Sequence, residues 1–217
     1  ARANLLREWM THGIGKDVFE SEEIKNVLTL CMSCKACISE CPSSVDMAAI
    51  KSEFLYHYHQ HHPLTKIEKS TANFYNISKR IAPIAPMVNA MRNLPLLSHI
   101  VKHFTGIDYR RSLPRYATES FEKWHQKQTT FGKSQDRVYL YIDEFTNYLD
   151  EEIGMKTYLL LTRLGIEVEI LPYMDSSRSL ISKGFLDEAK YNVNQFVSTI
   201  QHLVEDDMPI IGIEPSA

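Results

Sequence analysis

Cysteine is absent from this 217-residue sequence except in one short stretch, the segment from Cys31 to Cys41, which holds all four. A disulfide framework normally spreads its cysteines so that the bridges close long loops, and this sequence has no such spread. The clustering therefore excludes a disulfide-stapled fold. It favours a metal site in a chain that stays in the reducing cytoplasm.

Long apolar runs are also missing, and no stretch approaches the roughly 20 apolar residues that a membrane-spanning helix needs. We therefore predict no transmembrane segment, while a peripheral association at the inner face of the membrane stays open. The N-terminus lacks the basic-then-apolar order of a signal peptide, and it also lacks a starting Met. Because the other end stops just after an apolar run, we expect both ends to be cut from a longer polypeptide.

The net charge of −3 gives no support to nucleic acid as a partner. The charge is unevenly distributed: residues 1–60 carry −2, residues 61–137 carry +8, and residues 138–217 carry −9. A basic middle beside an acidic end suggests separate modules, docked on each other or on partners of opposite sign. Two ordinary solvated surfaces explain the same pattern equally well.

The cysteines follow the spacing C-x2-C-x2-C-x3-C-P, formed by Cys31, Cys34, Cys37, Cys41 and Pro42. Three thiolates at such short intervals can wrap a loop around one iron–sulfur cubane, and in two-cluster ferredoxins the fourth cysteine ligates the other cluster. Zinc usually takes two cysteine pairs separated by a longer loop, or cysteine together with histidine. The sequence therefore predicts a [4Fe–4S] cluster with these four cysteines as its metal ligands, and a zinc-binding interaction module is the alternative.

No second cysteine run accompanies the first. Either the four cysteines hold one cluster together, or Cys41 serves a second cluster whose other ligands lie upstream of Ala1. The missing start favours the second arrangement. We expect one or two clusters in the full protein.

Helices are predicted on both sides of the run. Glu22–Leu30 leads into Cys31 and has Ser21 as a candidate cap. Asp46–Leu55 forms the next helix, with four apolar residues expected to cover the cluster: Met47, Ile50, Phe54 and Leu55. The histidines that follow favour a polar helix end over a second metal site: His57, His59, His61 and His62.

The last third alternates strands and helices, which predicts a parallel sheet with right-handed crossovers. The strands are Val138–Ile142, Ile166–Leu171 and Ile210–Ile213, and the helices are about Asp150–Leu164 and Leu186–Glu205. Loops are expected at Asp143–Asn147, Pro172–Arg178 and Glu214–Ser216. They bring Asp175, Arg178 and Glu214 towards the edge where such sheets bind ligands, as a site or as a salt-bridged cluster. No Gly-rich phosphate loop is present, so nucleotide binding has little support.

The predicted fold class is a multi-part α+β arrangement. An all-α, ferredoxin-like cluster domain and a helical linker come before an α/β parallel-sheet module. The expected domains are 1–62 for the cluster domain, 63–135 for the basic helical linker and 136–217 for the sheet module.

Several segments resemble one family of redox proteins. Residues 1–8 and the cysteine run, continued through Phe54 and Leu55, resemble the C-terminal iron–sulfur region of FAD-linked oxidases. Asp143–Tyr148, Ile181–Leu186 and residues 212–216 resemble the first repeat of the cysteine-rich domain. Glycolate oxidase iron–sulfur subunits and heterodisulfide reductases share that domain. One departure is clear, because Asp175-Ser176-Ser177-Arg178 stands where the repeat often has Cys-Cys-Gly, so this repeat has no thiolate for a cluster.

The resemblance implies an electron-transfer region of a dehydrogenase of D-2-hydroxy acids such as lactate, glycolate or 2-hydroxyglutarate. Substrate hydride would reduce FAD, and electrons would then leave singly through the clusters. The flavin and substrate residues would lie outside this chain, so no catalytic residue is predicted within it, and the chain is an oxidoreductase component. Its implied partner is an FAD-binding dehydrogenase domain, in the same chain or in a separate subunit. The alternative is a separate iron–sulfur subunit of a quinone- or membrane-linked redox complex.

Overall fold

The computed structural model describes residues 4, 7–8, 11, 18–128, 136–204 and 208–214. It divides into two compact units, Ala1–Ala72 with Arg178–Lys190, and Asn73–Ser177 with Tyr191–Ala217. The predicted α+β fold class is confirmed, because the described residues are mainly helical and form a small three-stranded parallel sheet. The division into domains at 62 and 135 stays a prediction.

The first part of the chain is helical. A 3-10 turn lies at Val18–Glu20, and another at Ala82–Ile84 falls between two of the later helices. In chain order the helices are α1 (Glu22–Thr29), α2 (Ala36–Glu40), α3 (Met47–His61), α4 (Lys66–Ala72), α5 (Phe74–Ile81), α6 (Ala85–Arg92), α7 (Pro95–Thr105) and α8 (Phe121–His125).

The remaining described chain alternates strands and helices. Its elements are β1 (Arg137–Tyr141), α9 (Glu144–Tyr148), α10 (Glu151–Arg163), β2 (Glu167–Ile170), α11 (Arg178–Ser182), α12 (Leu186–Ile200) and β3 (Ile210–Gly212). The strands run parallel in the order β2-β1-β3, with Arg137 opposite Glu167 and Tyr139 opposite Ile210. The predicted parallel sheet is therefore confirmed. None of the helices described here is long and apolar enough to cross a membrane.

Side-chain caps explain where the helices around the cysteines begin. The Ser21 hydroxyl accepts a hydrogen bond from the Ile24 N–H at 3.4 Å, so the predicted cap of α1 is confirmed. Asp46 Oδ1 accepts from the N–H groups of Ala48 and Ala49, each at 2.9 Å. These two caps fix the starts of the helices on either side of the cysteines.

The core of the first unit lies between α1 and α3. Its buried members are Val18, Ile24, Leu28, Met47, Phe54, Leu55 and Tyr58, and Cys37 packs against them. Ile50, which the sequence grouped with Met47 and Phe54, is 36% exposed. Lys51 and Tyr58 lie on the buried side of α3, and Ile50 lies at the border between that side and solvent.

Two predicted loops contain short helices. Asp143 caps α9 by accepting a hydrogen bond from the Thr146 N–H at 2.8 Å, so the segment expected as a loop is helical. Helix α11 begins at Arg178, where the second loop was expected to end. Helix α12 ends at Ile200, earlier than the sequence suggested, and the predicted end at Glu205 lies outside the described residues.

Candidate functional site

The four cysteines lie on the loop between α1 and α3 and on the short helix α2 within it. Cys31 is buried, Cys34 is exposed, and Cys37 and Cys41 are partly buried, all as free thiols. Cys31 comes two residues after the end of α1, Cys37 lies in α2 and Cys41 follows its last residue. The four cysteines, which are close in sequence, thus lie on one short segment of the backbone.

The backbone of this loop takes an uncommon form. Ser33 and Lys35 both have φ of +57°, and Ser44 has φ of +49°, in the left-handed region that residues other than glycine seldom occupy. Left-handed residues next to ordinary ones turn N–H groups into concavities that bind anions. The loop therefore has a conformation suited to a negatively charged group, and strain of this kind is common at functional sites.

Backbone N–H groups point at two of the sulfur atoms. The Met47 N–H donates to Cys37 Sγ at 3.4 Å. Hydrogen bonds from the N–H groups of Val45 and Ser43 lower the pKa of the Cys41 thiol, with a smaller opposing effect of burial. Because the thiolate is the form that binds metal, the N–H donors to Cys41 favour its ligating state.

A buried lysine lies against the same loop. Lys51 is only 4% exposed, and its ammonium group donates to the Cys31 carbonyl at 2.7 Å. A buried charge needs partners, and here one of them is the cysteine backbone itself. Sequence reasoning missed this residue, although its position one turn after Met47 places it on the inner face of α3.

The surroundings fit an iron–sulfur cluster by their chemistry. The Ser33 hydroxyl oxygen is buried and lacks a hydrogen-bond partner within the described chain, an orphaned polar atom between Cys31 and Cys34. Four thiols, N–H donors to sulfur and a buried cation are the groups that such a cluster uses. No three His, Cys, Asp or Glu side chains of the described residues, the four cysteines included, are grouped so as to hold a metal ion. The case for an iron–sulfur cluster therefore rests on the chemistry of the four thiols, the N–H donors and the buried ammonium group.

The histidines in α3 and directly after it contact protein side chains. His57 Nε2 lies 3.2 Å from Glu53 Oε1, and His61 Nδ1 lies 3.7 Å from Glu20 Oε1. His62 stacks on Tyr58 with ring centroids 4.0 Å apart. These contacts favour the polar helix end over a second metal site. The Glu53–His57 pair could have been found from the sequence, since residues four apart share a helix face.

Glu68 is the centre of a polar network that the sequence did not reveal. Its Oε2 accepts hydrogen bonds from the Thr65 N–H at 2.8 Å and the Thr65 hydroxyl at 2.6 Å, and its Oε1 lies 3.1 Å from Lys25 Nζ. Burial alone would raise the pKa of Glu68, but these partners outweigh it and lower the pKa to about 2. The network joins α4 to α1, the helix that leads into Cys31.

His59 borders this network. Its Nε2 lies 3.6 Å from Glu68 Oε1. Burial lowers the pKa of His59, and the neighbouring Glu68 carboxylate offsets only part of that effect. His59 is therefore a neutral neighbour of the ion pair at pH 7, and it does not add a second charge beside Lys25.

The second unit has a separate polar cluster at the carboxyl edge of its sheet. Asp175 accepts hydrogen bonds from the Ser177 N–H at 2.9 Å and from Asn192 Nδ2 at 3.3 Å. Glu144 accepts from the Ser176 N–H at 3.0 Å and the Ser176 hydroxyl at 2.9 Å. Burial raises the pKa of both carboxyl groups.

The structure thus groups Asp175 with residues other than those predicted. Arg178 belongs to the first unit, whereas Asp175 and Glu214 belong to the second. Glu144 was missed because its segment was expected to be a loop. A cavity of about 310 Å³ adjoins Asp175 and Ser176, and its walls are mainly apolar, including Tyr141, Leu171 and Phe196.

The chain is similar in sequence to known dehydrogenases. It is 22% identical over 208 residues to a D-2-hydroxyglutarate dehydrogenase of Haemophilus influenzae, and 23% identical over 209 residues to that of Escherichia coli K12. Each match covers 90% of this chain. The chain spans about a fifth of the length of these curated relatives, since each match covers 20% of the relative.

A second kind of relative is one part of a larger enzyme. The chain is 27% identical over 124 residues to a subunit of the anaerobic glycerol-3-phosphate dehydrogenase of Escherichia coli K12, and the match covers 56% of this chain and 31% of that protein. No protein-family model matches the chain. No solved structure matches it either. The comparisons therefore support an oxidoreductase-related role at a coarse level.

Proposed function

We propose that this chain is the electron-transfer region of an FAD-linked dehydrogenase of D-2-hydroxy acids, with a [4Fe–4S] cluster held by Cys31, Cys34, Cys37 and Cys41. The observation that carries the proposal is the cysteine loop, in which four cysteines lie close in sequence, the Met47 N–H contacts Cys37 Sγ and the buried Lys51 ammonium group donates to the Cys31 carbonyl. The similarity to D-2-hydroxyglutarate dehydrogenases over 90% of the chain supports it.

Each part of the loop has a stated role in this proposal. The four thiolates are the ligands, and Cys41 ligates either the same cluster or a second one. The Met47 N–H stabilises negative charge on Cys37 Sγ, and Lys51 adds a positive charge beside Cys31. When bound, the cluster supplies one-electron transfer. The apolar core formed with Phe54 and Leu55 keeps water from one side of the loop.

The oxidation itself would take place outside this chain. A D-2-hydroxy acid loses a hydride from carbon 2 and a proton from its hydroxyl group to become a 2-oxo acid, and FAD takes the hydride. The two electrons then leave singly through this chain. We propose that the FAD-binding domain is encoded in the same reading frame, as the small share of each dehydrogenase relative covered here supports.

A separate iron–sulfur subunit is the second candidate. The match to the glycerol-3-phosphate dehydrogenase favours it, because that relative is itself one subunit of an enzyme. An FAD domain in the same reading frame decides for the first candidate, and a start codon shortly upstream decides for the second. For either candidate we propose a cytoplasmic location, supported by four free thiols without a disulfide, and peripheral contact with the inner face of the membrane.

Substrate-driven reduction tests the proposed function. The full protein is mixed anaerobically with D-2-hydroxyglutarate, D-lactate or glycolate, and the absorbance at about 400 nm and the EPR spectrum are recorded. One of these acids should bleach the band and produce a reduced-cluster signal, and the Cys34→Ala variant should lose the part of that signal that comes from the cluster in this loop while its flavin is still reduced. A protein whose flavin is reduced with no cluster signal, in wild type as in the variant, contradicts the proposal.

A further inference from the structure

Helix α7 has its apolar residues on the outside. Leu96 is 73% exposed and Phe104 is 71% exposed, and Ile100 and Val101 are each 42% exposed. Residues 96, 100 and 104 are spaced by four, so they lie along one face of the helix. The polar residues on the other side are partly buried: Ser98, Lys102 and Thr105. This is the reverse of the usual order in a water-exposed helix.

The exposed apolar surface continues onto α6 and the turn between the helices. Met87 is 55% exposed, Leu94 is 51% exposed and Met91 is 36% exposed. We call these residues and the apolar face of α7 the α6–α7 surface. Single exposed apolar residues are ordinary, but a contiguous group marks an interaction site.

Positive charge predominates in the segment of the chain that contains the α6–α7 surface. Residues 79–115 contain one acidic residue, Asp108, and seven basic residues: Lys79, Arg80, Arg92, Lys102, Arg110, Arg111 and Arg115. Asp108 is paired with Arg110 at 2.8 Å, so the acidic group is already neutralised locally. Lys102 donates to the Tyr109 carbonyl at 3.0 Å, a bond to a neutral group that leaves its positive charge without neutralisation by that partner.

We propose that the α6–α7 surface binds a membrane surface rich in anionic lipid. Apolar side chains on a helix with basic flanks are the combination that inserts at the boundary of headgroups and acyl chains. A second copy of the chain is a poorer occupant, because it would bring two strongly basic surfaces together. The proposal rests on the peripheral membrane contact proposed above and deepens it by naming the surface and the lipid, but it uses residues of the second unit and does not depend on the cysteines.

Vesicle sedimentation of the full chain tests this surface. The probes are vesicles of pure phosphatidylcholine and vesicles of phosphatidylcholine mixed with an equal weight of phosphatidylglycerol. The mixed vesicles should bind the chain at least about tenfold more tightly, and added salt should weaken that binding. Leu96→Asn with Ile100→Asn should lower binding to the mixed vesicles at least about tenfold.

A matched control pair lies elsewhere in the second unit. Leu160 and Leu164 are 59% and 67% exposed, so Leu160→Asn with Leu164→Asn removes similar exposed apolar groups. This pair should bind like wild type, and circular dichroism should show both variants folded. Equal losses in the two pairs, equal binding to both kinds of vesicle, or no binding at all would overturn the proposal. The proposal would also be overturned if Leu96→Asn with Ile100→Asn weakened self-association, or binding to another protein domain, and left lipid binding unchanged. The Cys34→Ala variant should still bind the vesicles, which separates this result from any failure of the cluster.

Discussion

At the scale of single residues, the cysteine loop combines features that the sequence showed with others that it did not. The spacing of Cys31, Cys34, Cys37 and Cys41 predicted their ligand role directly. Lys51 and Glu68 could not be found in that way, because their partners are distant in the chain: Cys31 is 20 residues from Lys51, and Lys25 is in another helix from Glu68. Only packing brings such groups together.

Lys51 should raise the reduction potential of the proposed cluster. A nearby buried positive charge favours the added electron, so Lys51→Met should lower the potential by on the order of 50 mV in an EPR-monitored redox titration. Lys35 is a matched control, since it lies between Cys34 and Cys37 but is exposed. Solvent screens its charge, and Lys35→Met should change the potential much less. A larger shift in the Lys35 variant would show that Lys51 does not act electrostatically.

Glu68 should stabilise the first unit in a pH-dependent way. Its pKa of about 2 lies below the ordinary value of 4.5, so its contribution is fully present above pH 4.5 and is lost as the pH falls from there towards 2. Glu68→Gln should therefore lower the free energy of unfolding by roughly 2–3 kcal/mol at pH 7 and by much less at pH 3. Urea unfolding of the two proteins at each pH measures the difference.

The control for Glu68 is Glu53, which is 60% exposed in its contact with His57. Glu53→Gln should change the free energy of unfolding by less than about 1 kcal/mol at pH 7. The free energies of unfolding of variant and wild type are compared at the same pH. Any stability that both proteins lose because acid releases a bound group therefore cancels in the difference. A constant difference between Glu68→Gln and wild type from pH 7 to pH 3 would contradict the role given to this carboxylate.

At the scale of helices and strands, local signals predicted the long elements and missed the short ones. Ser21 marked the start of α1, and Gly165, with φ of +83°, ends α10 as expected. Helix α9 has only five residues, too few for an apolar period to be visible, yet Asp143 followed by Glu144 was a usable start signal. Helix α11 is equally short, and its contacts with α3 and α4 stabilise it.

Gly184 should be essential for the packing of the chain after α11 against α3. Its φ is +76°, and a Cβ at this position would lie 2.6 Å from Leu55 Cβ and 2.6 Å from the Tyr56 nitrogen. Gly165 has a similar φ of +83° but nothing within 4 Å of its Cβ position. Gly165→Ala should cost about 1–2 kcal/mol for conformation alone. Gly184→Ala should cost at least about 2 kcal/mol more, because α3 must also move.

Thermal unfolding of the two alanine variants measures this difference. Since both glycines have left-handed backbone, the conformational cost is nearly the same in each variant and the excess reports the contact with α3. Equal destabilisation would mean that the contact does not constrain the chain.

At the scale of the whole molecule, the alternation of strands and helices predicted a parallel sheet but not its strand order. β1 is the central strand, and β2 and β3 pair with its opposite edges. The sequence pattern leaves open which edge of the sheet β3 joins. The return of Arg178–Lys190 to the first unit was equally invisible, because it depends on contacts between distant segments. The cysteine loop belongs to the first unit and the α6–α7 surface to the second, so substitutions in each can be tested separately.

Metal and sulfide analysis after anaerobic reconstitution tests the central claim, that the cysteine loop holds an iron–sulfur cluster. Wild type should be brown, contain iron and acid-labile sulfide in equal amounts and give an EPR signal on reduction. Cys34→Ala should lose the iron, sulfide and EPR signal of the cluster in this loop, and Cys41→Ala should keep that cluster if Cys41 serves another one, or lose it if four cysteines share one. A colourless wild-type protein that contains stoichiometric zinc would contradict the claim.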